Sequence, residues 1–306
     1  MAHLEEVLGC EMRCKNPVTI KKNLDPALYP NGLEVPCGKC FNCRIQKRSE
    51  WSLRMLHELD NHADSCFITL TYSDNNLLAN RTLAKPHLQL FFKRLRRSLG
   101  DVKIRYYACG EYGDKTNRPH YHAIIFGLSL RDEDKLRVMN AWPHADWSVP
   151  SIRRQSFGLA EPDSIRYVAQ YIDKKLSGVE EKKINGQGRI SPFRLCSLGL
   201  GGSYCDSHSE QIASGQVITY RGAPVSVPRY YIKRLGLDTE LLKEHAYYTA
   251  CEEVEKHTGL NIHPDVLKYE YIDDRLLRSY LKGVKESREQ YDRNLKARKA
   301  MRSSTL

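Results

Sequence analysis

The 306-residue chain contains no apolar run approaching the ~20 residues that a membrane-spanning helix needs; stretches such as 123–126 are far too short. Its first residues, MAHLEEVLGCEMRCK, lack the basic-then-apolar pattern of an export signal, so a reducing compartment is the expectation and a disulfide framework is not. No G-x4-G-K-[ST] phosphate loop is present, which excludes a motor built on that motif, and there is no internal repeat or low-complexity tract. Acidic residues are the scarcer charge: 37 Asp and Glu stand against 48 Lys and Arg, and the net charge of +11 suits a polyanionic partner. The excess is uneven, because residues 275–306 hold ten Lys or Arg and only Glu286, Glu289 and Asp292 as acids.

What is present begins with cysteine. Five of the ten cysteines lie in the first 43 residues, and Cys37, Cys40 and Cys43 form C-x2-C-x2-C in PCGKCFNC. With a fourth ligand from Cys14 or Cys10, thiolates at this spacing can close a tetrahedral structural Zn2+ site, and Gly38 eases the turn between the first two. The plainer alternative is a set of buried thiols without metal, since the usual second C-x2-C or His pair is missing.

Periodicity predicts a helix over RIQKRSEWSLRMLHELD, with Trp51, Met55 and Leu59 on one face, and a buried strand at CFITLTY ended by the turn SDNN. KPHLQLFFKRLRRSLG reads as a helix with Pro86 in its first turn, a stripe of Leu88, Phe91, Phe92, Leu95 and Leu99, and Gly100 as the stop. KIRYYACGEYG and PHYHAIIFG form a hairpin; SLRDEDKLRVMNAWP is a capped helix. PDSIRYVAQYIDKKLSG is another helix, with Asp163 or Ser164 as N-cap and Gly178 beyond its end. From 177 to 227 glycine and serine predict long loops with a further strand at GQVITY, and beyond Pro228 the pattern is helical and charged. The mixture argues for an α+β fold with an antiparallel sheet. The expected organisation is a Cys-rich arm and basic helix (1–62), a core (63–178), Gly/Ser-rich loops completing it (179–235) and a helical basic region (236–306).

Side chains alternate along a strand, so His120 and His122 share a face, and Glu111, nine residues before His120, can be brought alongside by cross-strand pairing. Two imidazoles and a carboxylate suit a divalent metal such as Mn2+ or Mg2+, with open positions for substrate oxygens. Alone, an H-x-H strand reads equally as two histidines on a solvated face. On the helix that follows, Tyr167 and Tyr171 lie about 40° apart with Lys174 in register, while Ile165, Val168, Ile172 and Leu176 make the core stripe on nearly the opposite side. A metal that polarises a phosphodiester beside a tyrosine hydroxyl makes a phosphotyrosine and frees a 3′-hydroxyl, with the lysine stabilising phosphoryl charge. The rival classes are a non-catalytic nucleic-acid-binding protein, for which the basic tail and 18 tyrosines suffice, and a two-histidine, one-carboxylate iron oxygenase, where the positive charge has no role.

At PCGKCFNCR, FITLTY, FFKRLR, GEYG, RPHYHAIIFG, YVAQYIDKK and VPRYYIKRL, the sequence resembles the HUH endonucleases that start rolling-circle replication, and more closely the replication initiation proteins of the Microviridae, gokushovirus type. The resemblance implies a five-stranded antiparallel HUH sheet flanked by helices, and nicking of origin DNA, single-stranded or in the replicative duplex, through a covalent 5′-phosphotyrosine. Rejoining then releases circular strands. It further implies His120, His122 and Glu111 as metal ligands, Tyr167 and Tyr171 as nucleophiles with Tyr171 first, Lys174 as the adjacent lysine, a host helicase and polymerase as partners, and the bacterial cytoplasm as location. A relaxase or transposase of the same chemistry is the alternative within it.

Overall fold

The computed structural model describes residues 14, 16–22, 24, 30–113, 116–170, 184–214, 218–220, 223–225, 227–238, 248, 251–252 and 255. In chain order, β1 (Val18–Ile20) and β2 (Leu33–Val35) precede α1 (Phe41–Leu59), β3 (Ser65–Thr71) and a single 3₁₀ turn over Asp74–Asn76. Next come α2 (Lys85–Leu99), β4 (Arg105–Tyr112), β5 (Pro119–Phe126), α3 (Asp132–Ala141), α4 (Pro150–Ser156), β6 (Phe157–Leu159) and α5 (Pro162–Gln170). After these, β7 (Phe193–Cys196), α6 (Gly202–Ser207), α7 (Ser209–Ala213), β8 (Ile218–Tyr220), β9 (Ala223–Val225) and α8 (Arg229–Leu235) complete the described elements. The chain divides into two compact units, Lys47–His208 and Met1–Gln46 with Ser209–Leu306.

The α+β class holds, as a five-stranded sheet in the order β6-β3-β5-β4-β7, every neighbouring pair antiparallel, with helices beside it. Alternation along the central strands gives the sheet two unlike faces. On one, Cys66, Ile68 and Leu70 of β3, Ala108 of β4 and Tyr121, Ala123 and Ile125 of β5 are buried against Leu88, Phe91, Phe92, Leu95 and Leu99 of α2 and against Val138, Ala141 and Trp142. The α2 stripe is the one its periodicity predicts, and each of these side chains contributes about 1.5–3 kcal/mol when removed from water. Pro86 sits in the first turn, where a missing N–H costs nothing, and Gly100, at φ 60°, ends the helix.

The opposite face carries Phe67 and Thr69 of β3, His120 and His122 of β5, and Tyr107, Cys109 and Glu111 of β4, by the same alternation. Trp51 of α1 packs on Tyr107 at 5.3 Å between ring centroids, and the guanidiniums of Arg54 and Arg194 lie 4.2 and 4.4 Å from the same indole. Arg54 donates twice to Leu200 O, at 3.0 and 2.9 Å, and Gly201 N–H donates to Glu58 at 2.7 Å. The Gly/Ser-rich stretch expected as loops is therefore fastened to α1, and it contains the edge strand β7 and the helices α6 and α7. The expected strand at GQVITY appears as β8, paired with β9 in a separate two-stranded sheet.

Two other boundaries differ from expectation. Helix α5 starts at Pro162, so Glu161 occupies the cap position; Ser164 is the third helical residue, and its hydroxyl accepts the Glu161 N–H at 2.7 Å. In α3 the cap position is Arg131 with no side-chain cap, and Asp134 instead accepts from both Ser129 N–H, at 3.2 Å, and Ser129 Oγ, at 2.5 Å. Short β6, which no sequence signal marked, pairs with β3 and delivers the chain directly into α5. Most of the expected charged helical region beyond 236 lies outside the described residues.

Candidate functional site

Register places Glu111 of β4 opposite His120 of β5, and Cys109 opposite His122. Both imidazoles then lean on a single carboxylate oxygen: Glu111 Oε1 is 3.0 Å from His120 Nε2 and 3.2 Å from His122 Nε2. One ligand atom from each residue lies within 4.8 Å of the others. Glu111 is 6% and His122 5% exposed, while His120 is half-buried at the rim.

The far side of each ring is also engaged. His120 Nδ1–H donates to Arg118 O at 3.1 Å, and His122 Nδ1 meets Thr69 Oγ1 at 3.0 Å. A carbonyl only accepts, so the His120 proton sits on Nδ1 and its Nε2 lone pair faces Glu111. A carboxylate oxygen and imidazole lone pairs this close repel one another unless a cation lies among them, either a proton or a metal ion. Burial alone would raise the Glu111 carboxyl, but hydrogen bonds from His120 and His122 outweigh it and hold it at about 2. The donor set and the fixed ring orientations fit a divalent cation held on one side, with positions left for other oxygens.

Arg118 is itself anchored, donating to Tyr72 O at 2.8 Å and pairing with Asp74, so the carbonyl that orients His120 sits on a braced residue. The glycines that flank the glutamate each make room. A Cβ on Gly110 would lie 3.0 Å from the Tyr121 ring and 3.1 Å from Leu83 Cδ2, and one on Gly113 would lie 3.2 Å from His120 Cε1. Helix α5 completes the site. Ile165 and Val168 face inward as the apolar stripe predicts, and Tyr167, 40% exposed, sets its ring edge-on to His122 at 5.4 Å and to Phe67 at 6.1 Å. Phe67 in turn stacks on His122, at 5.7 Å and 10°. Tyr171 and Lys174 lie outside the described residues, as do Ile172 and Leu176.

A family model for replication-associated proteins of the ORF2 type matches residues 65–176, the segment that carries all of these groups. The replication-associated protein ORF2 of Spiroplasma virus 4 is 34% identical over 221 residues, covering 66% of this chain and 67% of that protein. The chain belongs to this family of replication-associated proteins. The replication-associated protein VP4 of Bdellovibrio phage phiMH2K is 32% identical over 219 residues, 64% of this chain and 65% of the relative. The replication-associated protein ORF4 of Chlamydia phage 1 is 31% identical over 237 residues, 72% of this chain and 58% of the relative. No solved structure matches. The resemblance to phage replication initiation proteins thus holds, and among the described residues no helix is long and apolar enough to cross a membrane.

In this replication-associated protein, the second cluster singled out by sequence also assembles. Cys14, Cys37, Cys40 and Cys43 each place a sulfur within 4.8 Å of the others, a group compatible with a metal; Cys10 lies outside the described residues. The N–H groups of Lys39 and Cys40 donate to Cys37 Sγ and pull that thiol down to about 6, whereas burial pushes Cys43 up to about 12.

Sequence reasoning misses Thr69, Phe67 and Arg118. FITLTY reads as one buried run, yet its burial alternates, with Phe67, Thr69 and Thr71 half-buried on the site side and Ile68, Leu70 and Tyr72 buried on the other. Two threonines at alternate positions of an otherwise apolar strand are the available signal.

Proposed function

We infer that the chain is an HUH-type endonuclease that starts rolling-circle replication by nicking origin DNA. The observation that carries this reading is the convergence of His120 Nε2, His122 Nε2 and Glu111 Oε1 beneath the exposed ring of Tyr167. A divalent cation, Mn2+ or Mg2+, bound by those three residues would polarise a phosphodiester and neutralise its charge. The chain's own groups supply the rest. Arg118 O and Thr69 hold both imidazoles with Nε2 toward the site, and Glu111, buried and ionised, contributes the negative charge that recruits a cation.

Tyr167 and Tyr171 are the proposed nucleophiles. The phenolic oxygen forms a bond to phosphorus, the P–O3′ bond breaks, the phenol's proton passes to solvent and the 3′-oxygen takes one up. No bond energy is lost, so the freed 3′-hydroxyl of a second cleavage can attack the phosphotyrosine and close a circle. Lys174 is assigned the phosphoryl charge, on the strength of its register with the tyrosines. The net charge of +11 supports a DNA partner, single-stranded or in the replicative duplex. Helicase and polymerase activities would come from the bacterial host, in whose cytoplasm a phage protein of this kind would act; the names of the phage relatives support that setting.

The test is direct. Incubation with an end-labelled origin-region oligonucleotide and Mn2+ should give a band that survives boiling in detergent but not protease, and His122→Ala should abolish it while DNA binding persists. A wild-type protein that binds the oligonucleotide under these conditions and yields no adduct would leave a binding protein as the correct reading.

A further inference from the structure

The cysteine cluster takes no part in the nicking chemistry, and it lies on a segment with little else to hold it. Strands β1 and β2 pair over three residues, from Val18↔Val35 to Ile20↔Leu33. None of their six side chains is buried, and Val18, Ile20 and Leu33 are among the exposed large apolar residues. An isolated two-stranded ribbon with no buried face is marginal in water. Cys14 stands four residues before β1 and Cys37 two residues after β2, so the thiols sit at the open end of the ribbon. There, Cys37 N–H donates to Cys14 Sγ at 3.1 Å.

The local backbone is shaped around sulfur. Cys37 Sγ accepts Lys39 N–H at 3.4 Å and Cys40 N–H at 3.2 Å, an arrangement that places successive donors on one sulfur and favours its thiolate. Gly38, at φ 68°, lets the turn form; a Cβ there would meet nothing within 4 Å, so the requirement is conformational and not one of space. Cys43, in the first turn of α1, is buried. All four are free thiols. The Cys14 and Cys40 sulfurs are 3.8 Å apart. Tetrahedral zinc with bonds near 2.3 Å spaces its sulfurs by about 3.8 Å.

We propose that Cys14, Cys37, Cys40 and Cys43 hold a structural zinc ion that closes the β1–β2 ribbon and fastens it to the first turn of α1. Four protein sulfurs fill a tetrahedral shell, so no position is left for water or substrate and the ion is not catalytic. Loading displaces the remaining thiol protons to solvent, with no change of oxidation state. The ribbon has no apolar core in its strands, so the ion supplies much of its folding energy. The site goes beyond the nicking reading and does not depend on it.

Metal analysis of the full-length protein, dialysed against a mild chelator to strip weakly held divalent ions, should find about one zinc per chain. The same content should remain in His120→Ala/His122→Ala, and it should fall to about a tenth or less in Cys37→Ser/Cys40→Ser. Should the cysteine variant fail to fold, alkylation of native wild-type protein followed by peptide mass analysis decides instead: these four cysteines should be protected, and should react once a mercurial has displaced the metal. The proposal is overturned if the wild-type chain is metal-free with these thiols reactive, if iron replaces zinc, or if zinc follows the histidines. A protein that keeps zinc but forms no DNA adduct sinks the nuclease reading and leaves this site standing.

Discussion

Replacing Thr69 with valine isolates the part of the site that is specific to this strand pairing. Thr69 lies directly across from His122, and its hydroxyl meets Nδ1 at 3.0 Å. Valine keeps the β-branch, the strand propensity and nearly the volume, and Thr69 is only half-buried, so the fold should be retained. What changes is the support of a ring that is itself 5% exposed. Taking the hydroxyl away from a buried ring nitrogen costs about 1–3 kcal/mol. Loss of a partner behind a metal-binding histidine typically lowers metal affinity about 10–100-fold, or roughly 1.4–2.8 kcal/mol. The two ranges agree, so Thr69→Val should raise the Kd for Mn2+ by about 10–100-fold, and excess Mn2+ should restore adduct formation. In His122→Ala the ligand itself is gone, and excess metal should not rescue. Calorimetric titration gives the affinity, adduct yield against metal concentration gives the rescue, and urea unfolding checks the fold. If affinity is unchanged in a folded Thr69→Val protein, the Phe67 ring, stacked on His122 at 5.7 Å, orients the imidazole and the reasoning from the hydroxyl is wrong.

Three further outcomes are expected. Tyr121→Phe removes a buried hydroxyl that accepts Ala84 N–H at 2.8 Å and meets Tyr72 Oη at 3.0 Å, so urea unfolding should show a loss of about 1–3 kcal/mol; an unmoved midpoint would mean that the network contributes nothing net. Gly113→Ala would bring a methyl to 3.2 Å from His120 Cε1 and should weaken metal binding more than it weakens the fold, whereas equal losses would point to the turn itself. Tyr171→Phe should lose most adduct on a single-stranded origin oligonucleotide while Tyr167→Phe cleaves but releases no closed circles. Mapping the DNA-linked peptide decides the order, and an adduct on neither tyrosine ends the phosphotyrosine mechanism.

The legible parts of this fold are those in which one periodicity dominates. Helix α2 pairs a stripe of five apolar residues with Pro86 and Gly100 at its ends, and the β4–β5 hairpin joins two alternating runs through a polar turn; both form as their patterns predict. The edge strands are not legible. Strand β6 is three residues and β7 four, too short for alternation to rise above chance, and both are strands because β3 and β4 offer them backbone partners. The Gly-rich stretch before α6 looks like open loop because its partners, Arg54 and Glu58, lie some 140 residues earlier and bind its backbone rather than its side chains.

At the site the same division falls between ligands and their supports. His120, His122 and Glu111 can be placed together from alternation and cross-strand pairing, since residue type announces the chemistry. Thr69 and Arg118 announce none: a threonine suits any strand, and what Arg118 lends the site is its carbonyl, which every residue possesses. Their contribution exists only through register, and a slip of one residue would turn Thr69 to the core face and His122 away from Glu111. The two glycines make the argument concrete. GEYG resembles an ordinary flexible turn, yet Gly110 admits the Tyr121 ring on the core face and Gly113 admits His120 on the other, so the strand pair can close tightly around one carboxylate. Tyr167 depends on that closure at one remove, because β6 must pair with β3 before α5 can carry the phenol over His122. The register that buries the core is therefore the register that assembles the ligands, and a substitution that loosened the β3–β5 pairing would cost stability and metal affinity together.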